Sequence, residues 1–250
     1  MGWREGPLLG FDLETTGVDT SRDVPVQVAL IWTLPHEVLS ADSFLVDPGR
    51  EIPVEAVAIH GISTERARAE GRSLEETAVR LHVAIADAAA AGVPLVAMNA
   101  NFDVTIAEGL FERFGLPSIE WGALVDPLVL DRHVDRYRKG KRCLDALCTH
   151  YRIRLRNAHD AGADAEAAVS LARRIAYRFR ECGDLTAAEL TLEQAGWHEE
   201  WAIRQDEWQR SQGLPGLRPE EFCWPCRRVA GAAGLPATAT VTRRLGMSVA

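Results

Sequence analysis

Apolar residues run together at Pro7-Leu8-Leu9-Gly10 and continue into Phe11-Asp12-Leu13-Glu14, so Leu8 to Glu14 reads as a strand. Gln27 to Thr33 reads as a second strand, and Ser43 to Val46 as a third, ended by the turn signal Asp47-Pro48-Gly49. Ser73 with Glu76 three residues later is a capping-box pattern, opening a helix that runs to about Ala91, where Gly92 and Pro94 stop it. Leu95 to Met98 is a short apolar strand. Phe102 to Phe114 has a helical pattern closed by Gly115 and Pro117, and Leu124-Val125 adds a short strand. Leu144 to Tyr151 reads as a helix. Ala163 to Cys182 carries Ala167, Leu171, Ile175 and Phe179 at a four-residue step, which fits a buried helix face. Three strands followed by alternating strands and helices predict an α/β fold, a mixed sheet covered by helices. Composition shifts near Gly183. Residues 185–213 read as one further helix, opened by Thr186 with Glu189. Beyond it, Gly213 to Pro219 and Gly231 to Pro236 are glycine- and proline-rich. The expected organisation is therefore a domain over 7–182 and a helical, then irregular, C-terminal extension over 183–250.

The 250 residues are 47% hydrophobic and 26% charged, an ordinary globular balance. The first residues lack a basic start followed by an apolar stretch, and the longest apolar run, Ala84 to Val93, is broken by Asp87 and Gly92. The expectation is a cytoplasmic protein without a membrane span. Five irregularly spaced cysteines make no disulfide framework and fit a reducing compartment. A net charge of −8 argues against a tight nonspecific coat on nucleic acid. The positive charge is clustered, however. Arg132, Arg136, Arg138, Lys139, Lys141, Arg142, Arg152, Arg154 and Arg156 all fall just before His159, which is compatible with a local phosphate grip.

The acids carry the chemistry. Asp12 and Glu14 sit two apart on a strand and point to one face. A buried pair of like charges is costly unless a cation sits between them. Asp103 opens the helix after the Leu95–Met98 strand, in Asn99-Ala100-Asn101-Phe102-Asp103; taken alone, such an Asp is more often a helix cap. His159 and Asp164 lie in His159-Asp160-Ala161-Gly162-Ala163-Asp164, whose small residues let the backbone approach a ligand.

Taken together, the three segments resemble the DEDDh branch of the DnaQ-like 3′–5′ exonucleases, which includes the ε-type proofreading exonucleases. The first motif is matched by Phe11 to Gly17, the second by Asn99 to Asp103, and the third, His-x-Ala-x-x-Asp, by His159, Ala161 and Asp164. Ile59-His60-Gly61-Ile62 and Leu144-Asp145-Ala146-Leu147-Cys148 are similar to further family segments, so the likeness covers about residues 7–180. The resemblance implies a ribonuclease-H-like fold. It also implies two divalent cations, Mg²⁺ or Mn²⁺, held by Asp12, Glu14, Asp103 and Asp164, with His159 as the general base for an attacking water. Thr15, Thr16, His60, Asn99 and Phe102 would line the terminal nucleotide's pocket. The implied partner is a nucleic-acid 3′ end, single-stranded or frayed DNA being favoured, with release of nucleoside 5′-monophosphates and any polymerase or repair partner acting in trans. An RNA-directed exonuclease uses the same residues and is the alternative; a non-catalytic scaffold would have no need of all five. One departure is Met98, where many relatives carry histidine.

In the extension, Trp197, Trp201 and Trp208 share a helix face, and packing onto the catalytic domain is preferred to a stacking platform for bases. Cys223-Trp224-Pro225-Cys226 is a lone CxxC lacking two further evident ligands, so ordinary thiols are expected.

Overall fold

The computed structural model describes residues 2–227. Its centre is a five-stranded sheet in the order β3-β2-β1-β4-β5. The strands are β1 (Leu8–Thr15), β2 (Pro25–Leu34), β3 (Glu37–Leu45), β4 (Leu95–Val96) and β5 (Leu124–Val125). The first three are antiparallel, whereas β4 and β5 run parallel to β1. Around them lie α1 (Val54–His60), α2 (Thr64–Glu70), α3 (Leu74–Ala90), α4 (Ala100–Arg113), α5 (Pro127–Val134), α6 (Leu144–Tyr151), α7 (Ala161–Arg178), α8 (Arg180–Gly183) and α9 (Ala187–Ser211). This is the mixed, helix-flanked α/β sheet expected from the pattern.

Alternation along β1 divides the core. Leu9, Phe11 and Leu13 face one side and pack with Leu81 and Ile85 of α3 and Val104 and Phe111 of α4. Leu8 faces the other side, with Leu130, Leu147 and the α7 residues Ala168, Leu171 and Ile175. Asp12 and Glu14 share that second face and are the two β1 positions that are not fully buried. Gly10, also on that face, is where α7 touches the sheet. A Cβ there would stand 2.9 Å from the Ala165 carbonyl oxygen and 2.9 Å from Val169 Cγ2. Only glycine allows this approach, and it brings the start of α7 down onto β1 beside the acids.

Several elements differ from expectation. β3 begins at Glu37, well before Ser43, because as an edge strand it leaves Val38 and Leu39 about half exposed and lacks a clean alternation. The short helices α1, α2 and α5 carry too few turns for a readable period. The helix expected over 163–182 begins two residues earlier and breaks at Phe179, whose backbone is extended (φ −123°, ψ 108°).

The C-terminal helix α9 covers the outer edge of the sheet. Leu124 N–H donates to Thr191 Oγ1 (2.9 Å), Gln194 Nε2 donates to the Leu124 carbonyl (2.7 Å), and Asp126 N–H donates to Gln194 Oε1 (2.7 Å). Side chains thus satisfy edge groups that a sixth strand would otherwise take. Trp197 stacks on His133 with ring centroids 3.8 Å apart, and Trp201 carries the Arg132 guanidinium at 3.5 Å, so two of the three tryptophans are packing residues; Trp208 is 54% exposed. The basic cluster is partly structural as well. Arg138 and Arg142 pair with the fully buried Asp131, which also accepts from the Tyr151 hydroxyl (2.9 Å). No helix among the described residues is long and apolar enough to cross a membrane.

Candidate active site

The parallel strands β1, β4 and β5 deliver three chain segments to one end of the sheet, and the acids gather there. β1 outruns β4, so the Leu13 N–H has no strand partner and donates to Asp103 Oδ1 (3.1 Å). That bond ties the first turn of α4 to the end of β1. From the other face, α7 brings Asp164. Ligand atoms of Glu14, His159 and Asp164 lie within 4.8 Å of one another, the one such group among the described residues.

Electrostatics joins Asp12 and Asp103 to this group. Burial pushes the Asp12 carboxyl well above the usual range, and the charges of Asp103, Asp164, Glu14 and Asp160 push further. Burial, then Asp164 and Asp160, raise Glu14 to about 7. Burial also lifts Asp103 well up, against the Leu13 N–H bond that favours its charge. Asp164 is raised by burial, while the His159 backbone N–H, donating to its Oδ2 at 3.2 Å, acts the other way. Asp164 Oδ1 is buried without a hydrogen-bond partner. Mutually repelling carboxylates and an orphaned buried oxygen are what a hard divalent cation would satisfy, so the donor set fits the implied metals.

His159 rides an exposed loop in the left-handed conformation (φ 68°), two residues after Asn157 (φ 47°). Such backbone is costly for non-glycine residues and persists where surroundings enforce it. Here the enforcement is visible. Asp160 caps α7 by accepting from Ala163 N–H (3.1 Å), while Gln27 of β2 donates to Asp160 Oδ2 (3.1 Å) and accepts from Ala161 N–H (3.3 Å). Gln27 sits opposite Glu14 in the β1–β2 register. Sequence reasoning did not single out Gln27; its signal is a polar residue inside the apolar run Val26-Gln27-Val28.

Beside the acids runs a groove of about 690 Å³, lined by Glu14, Thr15, Thr16, His60, Phe102, Arg22 and Arg50 among others. Four of the five expected substrate residues are therefore neighbours. Thr16 is buried, and its hydroxyl is engaged by Asp23 (2.8 Å), Arg50 (2.5 Å) and Val24 N–H (3.2 Å), so it shapes the groove wall. His60 accepts from Ile62 N–H at Nδ1 (3.1 Å); burial holds its pKa down. Asn99 is not in the groove lining. It precedes α4 in the left-handed conformation (φ 63°), and its N–H donates to Asp126 Oδ1 (3.0 Å). Met98 is half-buried against the second core. Asp126, also missed, follows β5 and is almost fully buried.

A family model for exonucleases, RNase_T, matches residues 9–172. The chain belongs to this family, the DnaQ-like exonucleases. Among curated proteins, the chain is 30% identical over 157 residues to the PolC-type DNA polymerase III of Lacticaseibacillus paracasei, covering 63% of this chain and 10% of the polymerase. It is 25% identical over 186 residues to that of Caldanaerobacter subterraneus, covering 74% and 13%. The chain thus spans about a tenth of the length of these relatives. Among solved structures, Escherichia coli Exonuclease I in complex with a dT13 oligonucleotide superposes with a TM-score of 0.61 at 26% identity, over 72% of this chain and 43% of that one. A moderately thermophilic Exonuclease I from Methylocaldum szegediense shares the fold, with a TM-score of 0.58 at 24% identity, over 70% and 41%.

Proposed function

We propose that this protein is an exonuclease that hydrolyses the terminal phosphodiester at the 3′ end of single-stranded or frayed DNA, releasing nucleoside 5′-monophosphates. The observation that carries the reading is the convergence of Glu14, His159 and Asp164 within 4.8 Å, with Glu14 also lining the groove that holds Phe102. Asp12, Glu14, Asp103 and Asp164 would hold two Mg²⁺ or Mn²⁺ ions. When bound, such ions supply charge stabilisation to the attacking and leaving oxygens of an in-line displacement. The protein's own part is positioning and proton transfer. Phe102 offers a ring on which the terminal base stacks. Arg22 and Arg50 are the basic residues of a groove that also carries Asp19, Asp23, Glu51 and Glu55, and Arg50 pairs with Asp23 (2.9 Å), so bound cations would supply most of the positive charge that an anionic strand meets here. His159, on its exposed loop, takes the proton of the attacking water at a ring nitrogen, and Asp164 steadies that loop through the His159 N–H.

DNA is preferred over RNA because the relatives are DNA polymerases and the structural neighbour binds a deoxyoligonucleotide. The test is degradation of end-labelled DNA and RNA strands of equal sequence with Mn²⁺, Mg²⁺ or EDTA, beside His159→Ala. Stepwise shortening from the 3′ end that needs metal and His159 supports the reading, and the DNA-to-RNA rate ratio selects the substrate. No turnover of either strand by folded protein overturns it.

A further inference from the structure

The helix that carries Asp103 begins without a cap of its own. Asn99, in the N-cap position, makes no side-chain capping bond. Its place is taken by Asp126 from the end of β5, whose Oδ1 accepts from Asn99 N–H (3.0 Å) and Leu128 N–H (2.9 Å) and whose Oδ2 accepts from Ala100 N–H (2.9 Å). Asp126 is 1% exposed, and the donors to its carboxylate among the described residues are N–H groups that carry no charge. A buried carboxylate in that position depends on N–H donors, and the fourth comes from far along the chain: Trp224 Nε1 donates to Oδ2 at 3.3 Å. Trp224 is buried in the same core as Leu9, Phe11 and Val104.

The strand of chain around Trp224 follows α4 further. Arg227 N–H donates to Thr105 Oγ1 (2.8 Å), and Arg227 Nη2 donates to Asn101 Oδ1 (3.3 Å). At its other end the strap is pinned to α9 by His198 Nε2, which donates to the Glu221 carbonyl (3.0 Å). The first turns of α4 are thus held from β1 through Leu13, from β5 through Asp126, and from the strap through Trp224 and Arg227. All of the strap lies beyond the residues matched by the family model.

We propose that Trp224 is a positioning residue for the metal-binding carboxylate Asp103, acting through Asp126, and that residues 219–227 are a working part of the catalytic unit. The inference rests on the proposed nuclease reading for what Asp103 does, but the brace itself is defined by bonds within this chain. Loss of the indole N–H leaves Asp126 one donor short, loosens its hold on Asn99 and Ala100, and frees Asp103 to shift relative to Asp12. Misplacement of a reacting group by about 1 Å can cost on the order of 10²-fold in rate, so a partial loosening predicts a loss of about tenfold.

The experiment uses the full chain and three variants: Trp224→Phe, which keeps a core ring and loses the donor, Asp126→Asn, and the double variant. Mn²⁺ binding is measured by calorimetry beside thermal stability and single-stranded DNA hydrolysis. The expected result for Trp224→Phe is a melting temperature close to wild type, Mn²⁺ affinity weakened about tenfold, and kcat reduced more than KM is raised. The double variant is expected to be no worse than Asp126→Asn, because both changes cut one path. Unchanged Mn²⁺ affinity in Trp224→Phe, or additive losses in the double variant, would show that Trp224 only fills the core. If wild type degrades no strand, the functional reading fails, while the Mn²⁺ affinities still decide the brace.

Discussion

The two helices that meet at the acid cluster are fastened in different ways. α4, carrying Asp103, is anchored by buried contacts on three sides, with Asp103 itself 4% exposed. α7, carrying Asp164, rests on β1 through a glycine and a row of alanines, and the loop before it holds His159 in an exposed position. The first arrangement suits a ligand that must not move. The second suits a group that must meet water and substrate yet return to one place, and Gln27, Asp160, the Asp164 bond to the His159 N–H and the strained backbone at His159 define that place. A firmly held Asp103 and an exposed His159 are thus carried by elements on opposite faces of one sheet.

The largest expected effect falls on the exposed half. Replacement of His159 by Ala should lower kcat by about 10²–10⁴-fold, the usual worth of a general base, while the melting temperature stays within a few degrees because the side chain is exposed. Single-turnover hydrolysis and calorimetry on the same preparation would check both. A comparable loss of stability would mean that the loop is part of the scaffold after all.

The next effect belongs to the buried half. His198 pins the strap, and burial lowers its pKa to about 4. The folded state therefore favours the neutral ring, while the unfolded chain takes a proton near pH 6.5. The sign follows: the contribution is intact above about pH 6.5, is lost as pH falls towards 4, and totals about 3 kcal/mol. Other groups titrate over the same window, Glu14 in the opposite direction, so the quantity to measure is a difference. Urea unfolding of wild type and His198→Gln at pH 7.5 and pH 4.5 should show the variant less sensitive to acid. Parallel pH dependences would remove His198 from the account.

Much of this was legible beforehand, for identifiable reasons. β1, α6 and the third motif are local patterns, with apolar alternation, a short amphipathic turn and capping spacing all visible within a dozen residues. The clustering of the acids was legible through the family resemblance. Gln27 and Trp224 were not, because their roles consist of partners 133 and 98 positions away, which no local window contains. The break between α7 and α8 escaped for a related reason. The four-residue step of apolar positions continues through Phe179 although the backbone does not. The separation of the extension at 183 reflected a change in composition, whereas α9 and the strap hydrogen-bond into the sheet edge and the α4 terminus.

Two substitutions probe how α7 is seated. Gly10→Ala places a methyl 2.9 Å from the Ala165 carbonyl, so the helix must lift. Overpacking of this kind costs about 1–3 kcal/mol, or roughly 2–4 °C per kcal/mol in a chain this long. Activity should fall with it, since Asp164 lies one residue from the point of contact. Gln27→Ala should cost about 1 kcal/mol through the unpaired Ala161 N–H and Asp160 carboxylate. Its signature is kinetic, with kcat reduced and KM for single-stranded DNA little changed, because the groove is untouched. If Gly10→Ala melts like wild type, the close seating of α7 is not what holds it.

The smallest effect is expected farthest from both halves. Trp208 is 54% exposed near the end of α9, away from the stacked Trp197 and the cation-covered Trp201. An exposed tryptophan beside a nuclease invites a role as a base-stacking platform, and such a platform is worth about 1–3 kcal/mol per base. The packing of its two neighbours argues otherwise, because the face that would bind a strand is already spent on Arg132 and His133. Trp208→Ala should therefore change stability by less than about 0.5 kcal/mol and leave KM for oligonucleotides of any length unaltered. A KM that rises for long strands but not for short ones would extend the substrate path along α9 and make the extension a track as well as a brace.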